Sequence, residues 1–123
     1  MSGEELIARA QAAAASAYAP YSNYLVGATL LLRDGRSFDG VNVENAAYPL
    51  GVCAERVAIS KAASEGVHPG DIAAIGITAS PCGGCRQWLH EWRIERVYFP
   101  REDGSIAEYA PASKLLPDAW DLP

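Results

Sequence analysis

The three cysteines of this chain stand in two short segments, Cys53-Ala54-Glu55 and Pro81-Cys82-Gly83-Gly84-Cys85. Nothing else in the sequence restricts the fold so strongly. An odd count leaves one cysteine over in any disulfide framework, whereas a single metal ion uses all three. Three thiolates can hold zinc and leave its fourth position to water. Glu55, two residues past Cys53, stands where a carboxylate reaches that water without binding the metal. A closed structural site would need a fourth protein ligand. The histidines available are His68, in a loop before Pro69, and His90, five residues past Cys85 and rotated off the cysteine face of a helix. Neither suits. Cys82-Gly83-Gly84-Cys85 alone also fits a redox pair, but that reading leaves Cys53 and Glu55 without a use.

At 123 residues the chain is expected to form one domain, 1–123, long enough to bury a core of its own. Half of the residues are hydrophobic, which excludes a disordered chain. The apolar stretches are too short to cross a bilayer, and the Met1-Ser2-Gly3-Glu4-Glu5 start lacks the basic residues of a signal peptide. A cytoplasmic protein without a membrane partner is expected. A formal charge of −5 and the lack of a Lys/Arg run argue against long nucleic acid as a partner. A small, neutral or weakly charged substrate fits better.

Along the chain, Ser2 and Glu5 form a capping box for a helix over Glu4–Ala17, stopped by Pro20. Leu25–Arg33 and Ser37–Val43 read as strands joined at Asp34-Gly35. A second helix is expected from Cys53 to Glu65, with Gly66 as its stop. Ile72–Thr78 reads as a buried strand. Pro81 sits where helices begin, and Cys82–Trp92 reads as a third helix. Arg96–Phe99 and Ser105–Tyr109 read as further strands, and Ser113–Leu116 as a last helical turn. Helices alternating with strands predict an α/β fold with the sheet covered on both faces.

On that reading Cys82 and Cys85 share one side of a helix start, and Cys53 begins another helix. Helix N-termini carry partial positive charge and favour thiolates. Three thiolates around zinc leave the site negatively charged. Arg56, next to Glu55, is placed to offset this by hydrogen bonding to sulfur. Trp88 and Trp92, four residues apart on one helix, read as core or subunit contact rather than as a binding platform.

These motifs, taken in order, resemble the small homotetrameric zinc-dependent cytidine deaminases over almost the whole chain. Tyr21-Ser22-Asn23-Tyr24-Leu25-Val26-Gly27-Ala28 is similar to that family's base-pocket strand, and Asn42-Val43-Glu44-Asn45-Ala46-Ala47-Tyr48-Pro49 to its ribose motif. Cys53-Ala54-Glu55-Arg56 and Pro81-Cys82-Gly83-Gly84-Cys85-Arg86-Gln87 match the zinc motifs, and Leu115-Leu116-Pro117-Asp118-Ala119-Trp120 the C-terminal segment. The resemblance implies a three-layer αβα sandwich with a mixed central sheet. It implies one Zn²⁺ per chain on Cys53, Cys82 and Cys85, with Glu55 moving protons and Arg56 supporting the thiolates. Asn42 and Glu44 would then bind the ribose hydroxyls and Tyr24 the base, while the Ala54 carbonyl would accept from the 4-amino group. Ala46, Tyr48 and Trp120 match positions that reach a neighbouring subunit's site, so a homotetramer with shared sites is implied.

The implied activity is hydrolytic deamination of cytidine and 2′-deoxycytidine, a pyrimidine-salvage reaction on a small nucleoside. Tyr24 and Trp120 each replace a usual phenylalanine, and the loop between Thr78 and Pro81 is short. These departures motivate a rival substrate, a modified cytidine or nucleoside-like antibiotic. A second rival, a catalytically silent zinc-stabilised binding module, is opposed by the retention of Glu55.

Overall fold

The computed structural model describes residues 1–122; Pro123 lies outside the described residues. Five strands form one sheet: β1 (Gly27–Leu32), β2 (Ser37–Val41), β3 (Ile72–Ile77), β4 (Arg96–Pro100) and β5 (Ile106–Tyr109). Their order is β2-β1-β3-β4-β5. Only β3 and β4 run parallel; the other neighbours are antiparallel. The sheet is therefore mixed. Three α-helices accompany it: α1 (Gly3–Ala14), α2 (Ala54–Ser64) and α3 (Gly83–Glu91). The single parallel pair is joined through α3, as a crossover between parallel strands requires.

Strand alternation decides which helix covers which face. Ala28, Leu30, Ile75, Ile77 and Val97 share one face with Ala58, Ile59 and Ala62 of α2 and Leu89 of α3, all fully buried. The opposite face offers Gly27, Thr29 and Gly76 to α1. Leu6, Ile7 and Ala10 of α1 are buried against it. The two sides make three layers, α1 on one and α2 with α3 on the other, as the sequence predicts.

The contact between α2 and β2 is close enough to exclude a side chain. A Cβ on Gly40 would overlap the backbone of Ala54 and Ala58. Glycine at this position lets the first turn of α2 rest on the strand, and that turn carries Glu55.

The expected elements are all present, with shifted ends. The capping box of Ser2 and Glu5 forms. α1 ends at Ala14 rather than Ala17, because the Tyr18 N–H and C=O bond to Asn42 and Glu44 across the chain. β1 begins at Gly27 rather than Leu25, because the Val26 N–H goes to the Asn42 side chain. β2 stops at Val41 rather than Val43, which instead bridges Tyr18 and Val52. Cys53 and Cys82 are the N-caps of α2 and α3 rather than their first residues. Pro81 thus precedes the cap instead of opening the helix. A short 3₁₀ turn, Tyr48–Leu50, has no counterpart in the sequence reading, and a second covers Ala112–Leu115. Among the described residues no helix is long and apolar enough to cross a membrane.

Substituting Gly40→Val is expected to destabilise the fold by about 1–3 kcal/mol through overpacking. Gly83→Ala, where an added Cβ meets open space, should leave stability unchanged or raise it slightly. Urea denaturation of the two variants checks this.

Candidate active site

Two helix N-termini meet at one point beyond the carboxyl end of β3. Cys53 and Cys82 both take extended backbone at their caps. The Cys82 sulfur accepts the Cys85 N–H at 3.4 Å, the bond a Ser or Asp cap would make. Sγ of Cys53 lies 3.8 Å from Sγ of Cys82. All three sulfurs lie within 4.8 Å of one another. Zinc–sulfur bonds of about 2.3 Å put tetrahedral sulfurs roughly 3.8 Å apart, so the cluster fits that ion with little movement.

The electrostatics also call for a cation. Burial pushes the Cys85 thiol far up, and the charge of Glu55 adds to the effect. At Cys82 burial opposes ionisation, yet the Cys85 amide and the adjoining cysteines hold the thiol below its ordinary range. A positive ion among the three sulfurs would offset the burial of Cys85 and the mutual repulsion of thiolates. His68 and His90 take no part in the cluster, in keeping with the sequence reading.

Arg56 supplies part of the compensating charge. Its Nη2 donates to the Cys53 sulfur at 3.7 Å and to the Gly51 carbonyl at 3.5 Å. Its buried Nε has no partner among the described residues. Glu55, in the first turn of α2, is only 4% exposed. Burial raises its carboxyl above the ordinary range; its own backbone N–H, the Cys85 thiol and the Arg56 charge pull the other way. A buried carboxyl with a raised pKa is suited to accepting and returning protons near neutral pH.

A cavity of about 280 Å³ opens beside the cluster. Cys53, Ala54, Glu55 and Cys82 form its floor, and Tyr24, Asn42 and Glu44 stand on its wall. Ser22, Val26, Ile77, Ala79 and Ser80 complete it. No lysine, arginine or histidine is among these residues. Asn42 and Glu44, two apart in extended chain, reach the same cavity. Asn42 donates to the Tyr24 carbonyl at 2.8 Å and accepts the Val26 N–H at 2.9 Å. Glu44 accepts from the Tyr21 and Ser22 amides and the Ser22 hydroxyl.

One backbone role changes. Ala54 is the first residue of α2, and its carbonyl points along the helix toward Gly40. The group it can offer a ligand is its N–H, which has no acceptor within the helix.

Ala46, Tyr48 and Trp120 do not line this cavity. Tyr48 is 75% exposed and Trp120 68% exposed. Tyr48 borders an adjoining cavity of about 350 Å³ that shares Ser22 and Glu44 with the first. Sequence reasoning gave no task to Ser22. Its partner Glu44 lies 22 residues away, and only the turn-forming character of Ser22-Asn23 hints at the contact.

Comparison with known proteins identifies the family. Residues 1–100 match the family model of the cytidine and deoxycytidylate deaminase zinc-binding region. The chain is 43% identical to the cytidine deaminase of Sporosarcina psychrophila, the match covering 98% of this chain and 92% of that one. It is likewise 43% identical to the cytidine deaminase of Halalkalibacterium halodurans, over 98% and 95%. The crystal structure of cytidine deaminase from Burkholderia pseudomallei superposes with a TM-score of 0.90 at 43% identity, covering 98% of this chain and all of that one. That of Mycobacterium tuberculosis gives 0.83 at 35% identity over 99% of both. With its three-cysteine cluster, its buried Glu55 and likeness along nearly its full length, the chain belongs to the zinc-dependent cytidine deaminase family.

Proposed function

We propose that this chain catalyses hydrolytic deamination of cytidine and 2′-deoxycytidine, giving uridine or 2′-deoxyuridine and ammonia. The observation that carries the reading is Glu55, buried at the floor of a nucleoside-sized cavity beside three clustered sulfurs. Cys53, Cys82 and Cys85 hold the ion, one per chain. When bound, zinc supplies Lewis acidity at the coordination position that three thiolates leave open. Glu55 would take a proton from the attacking water and pass it to N3 of the base, then take the proton of the new C4 hydroxyl and deliver it to the departing amino group, leaving the 4-oxo product and ammonia. Arg56 steadies the thiolate charge. The Ala54 N–H donates to the 2-oxo group of the base, and Tyr24 lies against the ring. Asn42 and Glu44 accept from the sugar hydroxyls.

The charge of the cavity supports a nucleoside rather than a nucleotide. Its wall holds Glu44, kept anionic by the Ser22 and Tyr21 hydrogen bonds, and no cation to receive a phosphate. The same acidity, with a net charge of −5, speaks against nucleic acid. A cytoplasmic role in pyrimidine salvage follows from the substrate.

The reading extends to a homotetramer with shared sites. Tyr24 is 60% exposed, and Tyr48 and Trp120 stand further open. Large exposed apolar groups mark contact surfaces, and dihedral tetramers are common among closed assemblies. Ala46, Tyr48 and Trp120 of one protomer then complete the pocket of its neighbour.

Cys82→Ala is expected to lose most of its zinc and all measurable activity; full zinc occupancy in that variant, measured by atomic absorption, would count against the ligand set. Glu55→Gln should keep zinc and melting temperature while losing at least about 10²–10⁴-fold in kcat. Turnover within a few-fold of the parent enzyme would remove Glu55 from the proton path. Analytical ultracentrifugation should show four chains together, and truncation before Trp120 should raise KM for cytidine. A fully active monomer would overturn the shared site. Assay against bulky cytidine analogues tests whether Tyr24 and Trp120 widen or narrow the substrate range.

A further inference from the structure

Ser22 stands at the junction of the two cavities and lines both. Its hydroxyl has a fixed direction. An ionised carboxylate only accepts hydrogen bonds, so the Ser22 proton is committed to Oε2 of Glu44. The lone pairs of the same oxygen face the Tyr24 N–H, which donates at 3.0 Å. Oε1 of Glu44 takes the Tyr21 and Ser22 amides at 3.0 and 3.2 Å. Asn23, between them, adopts a left-handed φ of 58°, which closes the turn over the carboxylate.

The other end of Tyr24 is held as well. Its carbonyl accepts the Asn42 amide at 2.8 Å. Tyr24 is thus tied through its N–H to Glu44, by way of Ser22, and through its C=O to Asn42. Three of the roughly four lone-pair sites on the Glu44 carboxylate are taken. Those three bonds fix its plane, and the remaining capacity is free for a ligand hydroxyl. The Ser22 hydrogen bond is also the leading reason that Glu44 stays below the ordinary carboxylate range.

We propose that Ser22 is a positioning residue that joins sugar recognition at Glu44 to the base wall at Tyr24, so that the two halves of the nucleoside are bound as one unit. The inference rests on the sugar-binding reading of Glu44 and Asn42 given above. Without the hydroxyl, the Glu44 carboxylate is free to turn and the Tyr24 N–H loses its acceptor. Ground-state binding suffers, while the zinc ligands and Glu55 are untouched.

The test is steady-state kinetics of the zinc-loaded enzyme on cytidine and 2′,3′-dideoxycytidine. The forms compared are the parent, Ser22→Ala, Ser22→Thr, Glu44→Gln and the Ser22→Ala/Glu44→Gln pair. Ser22→Ala should raise KM for cytidine roughly ten-fold, the loss of one well-placed hydrogen bond to a charged group, and leave kcat within about two-fold. The rise on the dideoxy compound should be clearly smaller, because the carboxylate has no 2′- or 3′-hydroxyl to meet there. Ser22→Thr should restore the parent KM. The pair should be little worse than Glu44→Gln alone, because the effect of the hydroxyl passes largely through the carboxylate. A parent-like KM in Ser22→Ala alongside a raised KM in Glu44→Gln overturns this inference and leaves the sugar reading standing. An equal rise on both nucleosides that threonine does not rescue also overturns it, since a loosened turn would act that way. If Glu44→Gln behaves like the parent on both compounds, the sugar reading itself fails and this inference with it.

Discussion

Two helix N-termini brought to within one sulfur–sulfur contact are the constraint on which the molecule is built. Thiolates repel one another, and burial opposes the charge on Cys82 and Cys85. The fold answers with oriented backbone dipoles at both caps, with the guanidinium of Arg56 on Cys53, and with a geometry that suits a tetrahedral ion. Cys82 caps its helix and stands in the cluster that can hold a metal ion. That economy is possible because a cap and a ligand both need an exposed lone pair at the first turn.

Reaching this arrangement sets demands on the sheet. α3 is the crossover between the parallel strands β3 and β4, so its N-terminus must follow the carboxyl end of β3. Ligand crevices in open α/β sheets form at such carboxyl ends. α2 approaches from the antiparallel half, and its first turn comes close enough only because Gly40 carries no side chain. α1 covers the far face and contributes nothing to the cavity lining; its contribution is the buried area of Leu6, Ile7 and Ala10.

The opposite wall of the cavity is made differently. Residues 21–26 and 42–44 lie outside the strands, and side chains take over where the ladder stops. The Asn42 amide completes the Val26 N–H and the Tyr24 carbonyl, and Glu44 gathers the turn at Tyr21 and Ser22. Polar side chains used in this way give the wall its shape before any ligand arrives. Preorganisation of this kind lowers the entropy lost on binding. Tyr24, Tyr48 and Trp120 remain open to solvent in the single chain, which is why the proposed assembly matters to the substrate and not only to stability.

Much of this was legible in the residues. Hydrophobic runs and turn signals located the five strands and three helices, because strand and helix formation answers to local pattern. The spacing of Cys53, Glu55, Cys82 and Cys85 pointed to a catalytic metal site, because that chemistry needs those donors and little else. Local pattern could not say where α1 ends, since the Tyr18 backbone is captured by Asn42 and Glu44 far along the chain. It put Pro81 at the opening of α3, where the structure places Cys82 at the cap. The family resemblance implied a contact at the Ala54 carbonyl, which in the folded chain lies toward Gly40, and local pattern gave Ser22 no task at all. Each of these depends on which partner the tertiary structure brings within about 3 Å of a polar atom. The sequence determined the three clustered sulfurs and the layers, and pointed to the carboxylate proposed as proton carrier. Only the folded chain decided the directions of the hydrogen bonds, because direction follows from contacts between residues that sequence order keeps apart.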